Sequence, residues 1–185
     1  MIETLISSKT RIKLLLKFFL NAKTTSYLRS LEGEFGESTN AIRLELNRLE
    51  EAGMLSSEMK GNKKLYTANA KHPLFNEVRN ILIKHIGLDQ IIEKVVNKLG
   101  DLERVYLVGN FSKGINSQII DLIFVGNIDK AYLIQLIDRA EQLINRKVRY
   151  LSYSKDEFQN LSSDSLGTNP LLLWHKDGGL NHKEA

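Results

Sequence analysis

The sequence predicts an α+β protein of two domains, and three observations carry that prediction. Apolar residues recur at helical spacing from Ile2 to Ala52, with glycines at 36 and 53 breaking the pattern. Two short strand patterns then flank the basic run Lys60-Gly61-Asn62-Lys63-Lys64. From about residue 101 strand and helix patterns alternate, as in a small mixed α/β sheet. Residues 1–70 are therefore expected to form one domain, 71–100 connecting helices, 101–176 the α/β domain, and the glycine-rich polar stretch 177–185 a flexible tail.

The first helical pattern, Ile2 to Leu20, places Leu5, Ile6, Ile12, Leu15, Leu16 and Phe19 on a wide apolar face, with an interruption near Ser7-Ser8. That face is wide enough to serve a core and a partner subunit. Next, Tyr27, Leu28, Leu31 and Phe35 form a stripe while Arg29, Ser30, Glu32 and Glu34 face outward. Gly36 stops this helix, because a residue just past a helix end often takes the left-handed backbone that glycine adopts without steric cost. Ser38 can cap the following helix by accepting a backbone N–H bond. That helix puts Ile42, Leu46, Leu49 and Ala52 on one face and leaves Thr39, Asn40, Arg43, Asn47 and Arg48 on others, until Gly53 ends it. Ser56 to Met59 and Leu65 to Ala68 can then pair as a hairpin around the three lysines.

Helix, turn, helix and basic hairpin in this order are the outline of a winged helix-turn-helix. The runs Glu37-Ser38-Thr39-Asn40-Ala41-Ile42-Arg43 and Leu49-Glu50-Glu51-Ala52-Gly53-Met54-Leu55 resemble the ArsR-like regulators of that fold over about the first seventy residues. The resemblance implies a transcriptional regulator that binds double-stranded DNA. Arginine and asparagine pair bidentately with guanine and adenine edges, so the second helix is the candidate reader. The expected DNA-contacting set is Ser38, Thr39, Asn40, Arg43, Asn47 and Arg48 on that helix, with Lys60, Asn62, Lys63 and Lys64 on the wing. A homodimer is expected, since one such helix covers a half-site. A charged helix face is more often only solvated, and Glu45, Glu50 and Glu51 dilute this one. The metal-sensing branch of the class needs cysteine or histidine clusters, which this domain lacks, so no metal effector is expected.

After the hairpin, His72-Pro73 marks a boundary, and helices are expected from Pro73 to about Ile86 and from Leu88 to about Leu99, broken at Gly87. Arg104 to Val108 reads as a strand, Gly109 to Gly114 as a loop and Ile119 to Val125 as a buried strand. Asp129 to Leu143 reads as an amphipathic helix, Val148 to Tyr153 as a strand and Lys155 to Leu161 as a helical start. Leu171-Leu172-Leu173-Trp174 suits a strand or helix end packed on a core or a dimer interface.

Val108-Gly109-Asn110-Phe111-Ser112-Lys113-Gly114 followed by Ile119-Ile120-Asp121-Leu122-Ile123-Phe124-Val125-Gly126 resembles the minimal nucleotidyltransferase family. In that family a Gly-Ser loop cradles the triphosphate, an Asp-x-Asp pair binds metals, and a later strand supplies a third aspartate. Here Asn110 stands in the serine's place, Ile119 in that of the first aspartate and Arg149 in that of the third; only Asp121 is kept. Two-metal phosphoryl transfer needs several oxygen ligands around ions roughly 4 Å apart. One carboxylate cannot supply them, so no catalytic residue, bound metal or cofactor is expected. The resemblance leaves a degenerate nucleotide pocket at Gly109, Asn110, Lys113, Gly114, Asp121 and Arg149. Asp121 and Arg149 are expected to form a partly buried ion pair, the alternative being an anion held at Arg149.

Composition bounds the rest. The chain has 185 residues, 42% hydrophobic, with a net charge of +4 and no cysteine, which suits a reducing compartment and excludes disulfide or thiolate chemistry. Residues 1–70 hold 11 Lys+Arg against 8 Asp+Glu, so most of the excess lies in the first domain. The four histidines are scattered without metal-ligand spacing. Lysines break the apolar runs short of a membrane span and no signal-peptide pattern opens the chain, so a cytoplasmic, membrane-free protein is expected. The reading is a DNA-binding regulator whose second domain serves dimerisation, sensing of an unknown small molecule, or contact with a partner protein. The alternative is a nucleotide-binding protein or residual nucleotidyltransferase whose winged helix is an interaction module.

Overall fold

The computed structural model describes residues 2–161, 170–177 and 179–180, a mixed α+β chain with two sheets. The described residues divide into two compact units, one running to His85 and including Gly114–Asn116, the other comprising Ile86–Lys113 and the described residues from Ser117 to Leu180.

In the first unit, α1 (Ile2–Leu5) and α2 (Lys9–Phe19) are separated at Ser7-Ser8, where the Ser8 hydroxyl caps α2 by accepting from the Arg11 N–H at 3.1 Å. A two-residue strand β1 (Thr25–Ser26) leads into α3 (Leu28–Phe35), then α4 (Thr39–Glu51), β2 (Leu55–Lys60), β3 (Lys63–Ala68) and α5 (Phe75–Ile86). Gly36 closes α3 at φ 62°, and Ser38 accepts from the Ala41 N–H at 3.2 Å to open α4. From α2, the Lys13 ammonium donates to the Phe35 carbonyl at 2.9 Å and to Glu37 at 2.7 Å, which fixes the turn between the two helices.

The end of α4 differs from expectation. Ala52, expected on the apolar face, is exposed at the C-cap. Gly53, at φ 71°, turns the chain there. Its N–H bonds the Glu50 carbonyl at 2.8 Å and the Met54 N–H the Leu49 carbonyl at 2.9 Å, the paired bonds of a Schellman ending. Glu45 differs too: it is buried rather than part of the solvated face, held by Arg11 of α2 at 2.7 Å.

The three strands order β1-β3-β2, with Lys60 opposite Lys63 and only Gly61-Asn62 between them. Gly61 has φ 61° while Asn62 stays negative, the two-residue turn whose twist matches a hairpin. Beneath lies the core of Leu15, Leu16, Leu31, Ile42, Leu46 and Leu55, with Phe19 stacked on Phe75 at 5.2 Å.

The second unit begins in α6 (Leu88–Lys94), entered through Gly87 at φ 87°, and a short 3₁₀ turn (Val96–Lys98) replaces the rest of the expected helix. A Cβ on Gly87 would lie 2.6 Å from Ile144, so the close packing of α6 on the end of the later helix α8 requires glycine. There follow β4 (Leu102–Val108), α7 (Gly109–Ser112), β5 (Ile119–Gly126), α8 (Lys130–Ile144), β6 (Lys147–Tyr153), α9 (Lys155–Gln159), β7 (Leu171–His175) and β8 (Gly179–Leu180). Among the described residues the sheet order is β6-β5-β4-β7-β8, with β5 and β6 parallel and the other neighbours antiparallel.

Strand β5 is buried from Ile120 to Gly126, which explains an apolar run interrupted only by Asp121. Asp129 caps α8 through the N–H groups of Ala131 and Tyr132, at 2.9 and 3.1 Å. The expected loop after β4 is instead the helical turn α7, drawn in by the fully buried Phe111 and closed by the Ser112 hydroxyl donating to the Gly109 carbonyl at 3.0 Å. The run at 171–174 is a strand beside β4, and Gly179-Leu180 of the expected flexible tail pairs with it as β8. The segments of the expected α/β domain and tail at 162–169 and 181–185 lie outside the described residues.

Candidate nucleic-acid interface

In the first unit, α3, α4 and the hairpin enclose an open groove of about 860 Å³ lined by Tyr27, Leu28, Arg29, Glu32, Thr39, Arg43, Asn47, Asn62, Lys63, Lys64 and Tyr66. Four cationic side chains and one acidic one face it. Arg29, Arg43 and Lys63 form no ion pair with a described residue. The Lys63 ammonium lies 4.5 Å from the centroid of the Tyr27 ring, a contact that leaves its charge uncancelled.

The ten residues expected to touch DNA separate into groups. Thr39, Arg43, Asn47, Asn62, Lys63 and Lys64 come together around the groove. Asn40 is exposed on α4 outside it, and Lys60 is exposed at the hairpin tip. Ser38 is engaged as the helix cap. Arg48 is tied to the buried Glu45 at 3.2 Å. Burial pushes the Glu45 carboxyl up, but hydrogen bonds from Arg11 and Ser8 and the charges of Arg11 and Arg48 outweigh it and hold the carboxyl below its ordinary value.

Lys64 is engaged as well. Its ammonium meets Glu50 of α4 at 2.7 Å, and the other Glu50 oxygen accepts from the Ser57 hydroxyl at 2.5 Å, so a single carboxylate fastens both strands of the hairpin to the helix. The Lys64 and Ser57 hydrogen bonds hold the Glu50 carboxyl below its ordinary value, and Glu50 in turn raises Lys64. Sequence reasoning counted Glu50 only as a diluting charge and left out Arg29 and the two tyrosines. The one signal was that Arg29 faces outward on the helix before the turn.

In the second unit, Gly109, Asp121 and Arg149 come together. Strand register puts Asp121 between Val108 of β4 and Arg149 of β6. The Arg149 Nε donates to Asp121 Oδ1 at 2.5 Å, and a Cβ on Gly109, whose φ is 67°, would stand 2.2 Å from Oδ2. The pair is lopsided: the aspartate side chain is 11% exposed and the arginine side chain 73%. The carboxylate raises the Arg149 guanidinium above its ordinary value. Asn110 and Lys113 are exposed. Gly114 groups with the first unit, where a Cβ would stand 2.2 Å from the Lys17 Cα. Ile119, in the first aspartate's place, is 40% exposed. Among the described residues no cluster of three or more His, Asp or Glu side chains could hold a metal, and no helix is long and apolar enough to cross a membrane.

No known family profile and no curated protein matches the chain. Among solved structures, it is similar to a protein of Sulfolobus solfataricus provisionally described as a nucleotidyltransferase, at 19% identity and a TM-score of 0.39 over 57% of this chain and 92% of that one. It is also similar to AF1382 of Archaeoglobus fulgidus, at 15% identity and a TM-score of 0.36 over 50% of this chain and 98% of that one. Likenesses at these scores carry no conclusion about fold or activity.

Proposed function

We propose that the chain is a DNA-binding transcriptional regulator of the cytoplasm, whose first unit is a winged helix-turn-helix with α3 and α4 as its two helices and β2–β3 as its wing. The observation that carries this reading is the convergence of Arg29, Arg43 and Lys63, none of them paired with a described acid, on one groove that α4 borders with Asn47. Unpaired cations along a concave surface favour a polyanion, and arginine and asparagine on the same helix can distinguish its bases. Thr39, Asn40, Arg43 and Asn47 take the base-reading role, and Lys60, Asn62 and Lys63 the phosphate-positioning one. Lys64 and Arg48, each already held by a glutamate, contribute less.

The protein acts as a homodimer, since two-fold symmetry sets two reading helices about one DNA turn apart. Leu74, just before α5, and Val78 and Ile81 on it are spaced as one helical face, with Leu74 54% and Ile81 44% exposed, which supports a second copy packing there.

The second unit is a nucleotidyltransferase-like domain without catalysis, used for dimerisation, sensing or partner contact. Its residues do not fit a two-metal centre, because the single carboxylate of Asp121 is already engaged by Arg149 and Ile119 offers no lone pair.

Selection of preferred duplexes from a random pool by the full chain, followed by anisotropy titrations at several salt concentrations, tests the reading. A preferred site whose affinity falls steeply with salt is the expected result. Failure to retain any duplex at low salt overturns it.

A further inference from the structure

The outer face of α4 carries one half-exposed leucine among amide and guanidinium side chains. Asn40 and Asn47 are each three or four residues from Arg43 and from Leu44, and all four are exposed, so they share the face turned away from the core. Leu44 is 51% exposed, whereas the other branched aliphatic residues of α4 are nearly buried: Ile42 at 0%, Leu46 at 1% and Leu49 at 5%. It shares that face with Asn40 and Asn47 but lies outside the residues that line the groove.

We propose that Leu44 reads a thymine 5-methyl group, so that each half-site holds a thymine whose methyl is a specificity determinant; this rests on the DNA-binding reading above. A leucine can neither bond a base edge nor neutralise a phosphate, so what it can select in the major groove is an apolar group. The thymine methyl is the apolar feature that groove presents. Its neighbours agree with such a site. Asn40 and Asn47 flank Leu44 by four and three positions, and an asparagine that takes an adenine places that adenine's thymine partner in the same base pair. Arg43 on the same face, and Arg29 and Lys63 in the groove beside α4, complement a duplex rather than an apolar protein surface.

The test uses the full chain and the duplex that selection returns. Each thymine is replaced in turn by uracil, which lacks only the methyl group. At one thymine per half-site uracil is expected to weaken binding roughly fourfold, the worth of one buried methyl-sized group. Leu44→Ala and the isosteric Leu44→Asn should bind the thymine site more weakly and lose the uracil penalty at that position, with the melting temperature unchanged because the residue is exposed. A uracil scan that leaves affinity within twofold at every position overturns the proposal, as does a penalty that persists in Leu44→Ala. A selection that returns no preferred duplex overturns the DNA-binding reading itself, and this inference with it.

Discussion

The groove of the first unit and the Asp121 site of the second are both built around an acid that holds a base, and they differ in what is left over. At the groove, Glu50 engages Lys64 while Arg29, Arg43 and Lys63 keep their charge. At the other site Asp121 engages Arg149, and Ile119 and Asn110 add no further charge. A surface with cations to spare can bind an anion at no internal cost. A site whose charges are matched is structural first, and any ligand there must compete with the existing pair.

The lopsided burial of the Asp121–Arg149 pair sharpens the comparison. An exposed arginine that loses its partner regains water; a buried carboxylate that loses its partner does not. The aspartate is therefore the group stranded when its partner is removed, and the unpaired charge left by Arg149→Ala costs more than the one left by Asp121→Ala.

The largest expected effect breaks the second site and spares the first. Gly109→Ala forces a side chain into a left-handed backbone and against the Asp121 carboxylate, and should destabilise the protein by about 1–3 kcal/mol in denaturant melts. Duplex affinity of the protein that remains folded should not change. A melt identical to wild type would show that the contact between the turn and the carboxylate yields freely.

Arg43→Ala reverses the pattern. It should cost about 1–3 kcal/mol of binding to the preferred duplex and relax specificity at one base, while stability moves by no more than about 0.5 kcal/mol. Equal loss on all sequences would move Arg43 to the phosphate-positioning group.

Replacing the lysines of the β2–β3 hairpin one at a time sharpens the distinction between spare and engaged charge. Lys60→Ala or Lys63→Ala should each lower the slope of log affinity against log salt by about 0.9 per half-site, and weaken all duplexes alike. Lys64→Ala should change the slope less, since Glu50 already neutralises it. A full unit of slope lost at Lys64 would mean that DNA displaces Glu50.

The smallest effect lies in pH. The Glu50 carboxyl is held below its ordinary value in the folded protein by Lys64 and Ser57, so its contribution is present above the unfolded value near 4.5 and is lost as pH falls through the folded one. Both partners are partly exposed, which limits the contribution to about 0.2–1 kcal/mol. Glu50→Gln should be less stable than wild type at pH 7 and match it more closely at pH 3, measured by denaturant midpoints.

The ends of the helices and the hairpin turn were legible because their causes are local. Gly36, Ser38, Gly53 and Asp129 act on backbone groups within a turn of themselves, and Gly61-Asn62 fixes the hairpin by its own dihedral preference. The pairing of Asp121 with Arg149 was legible too, since consecutive strands of a mixed sheet set side chains abreast. What the chain alone did not disclose are partnerships between distant residues that no period announces. Arg11 draws Glu45 into the core, Glu50 withdraws Lys64 from the free wing charge, and Gly114 groups with Lys17 rather than with the loop that precedes it. Strand β7 belongs with them, because an apolar run of four residues acquires its role only from the strand beside it. Local chemistry decides where elements begin and end; which charges remain free to meet a ligand is decided by packing, because each is cancelled or spared by a neighbour the chain brings from elsewhere.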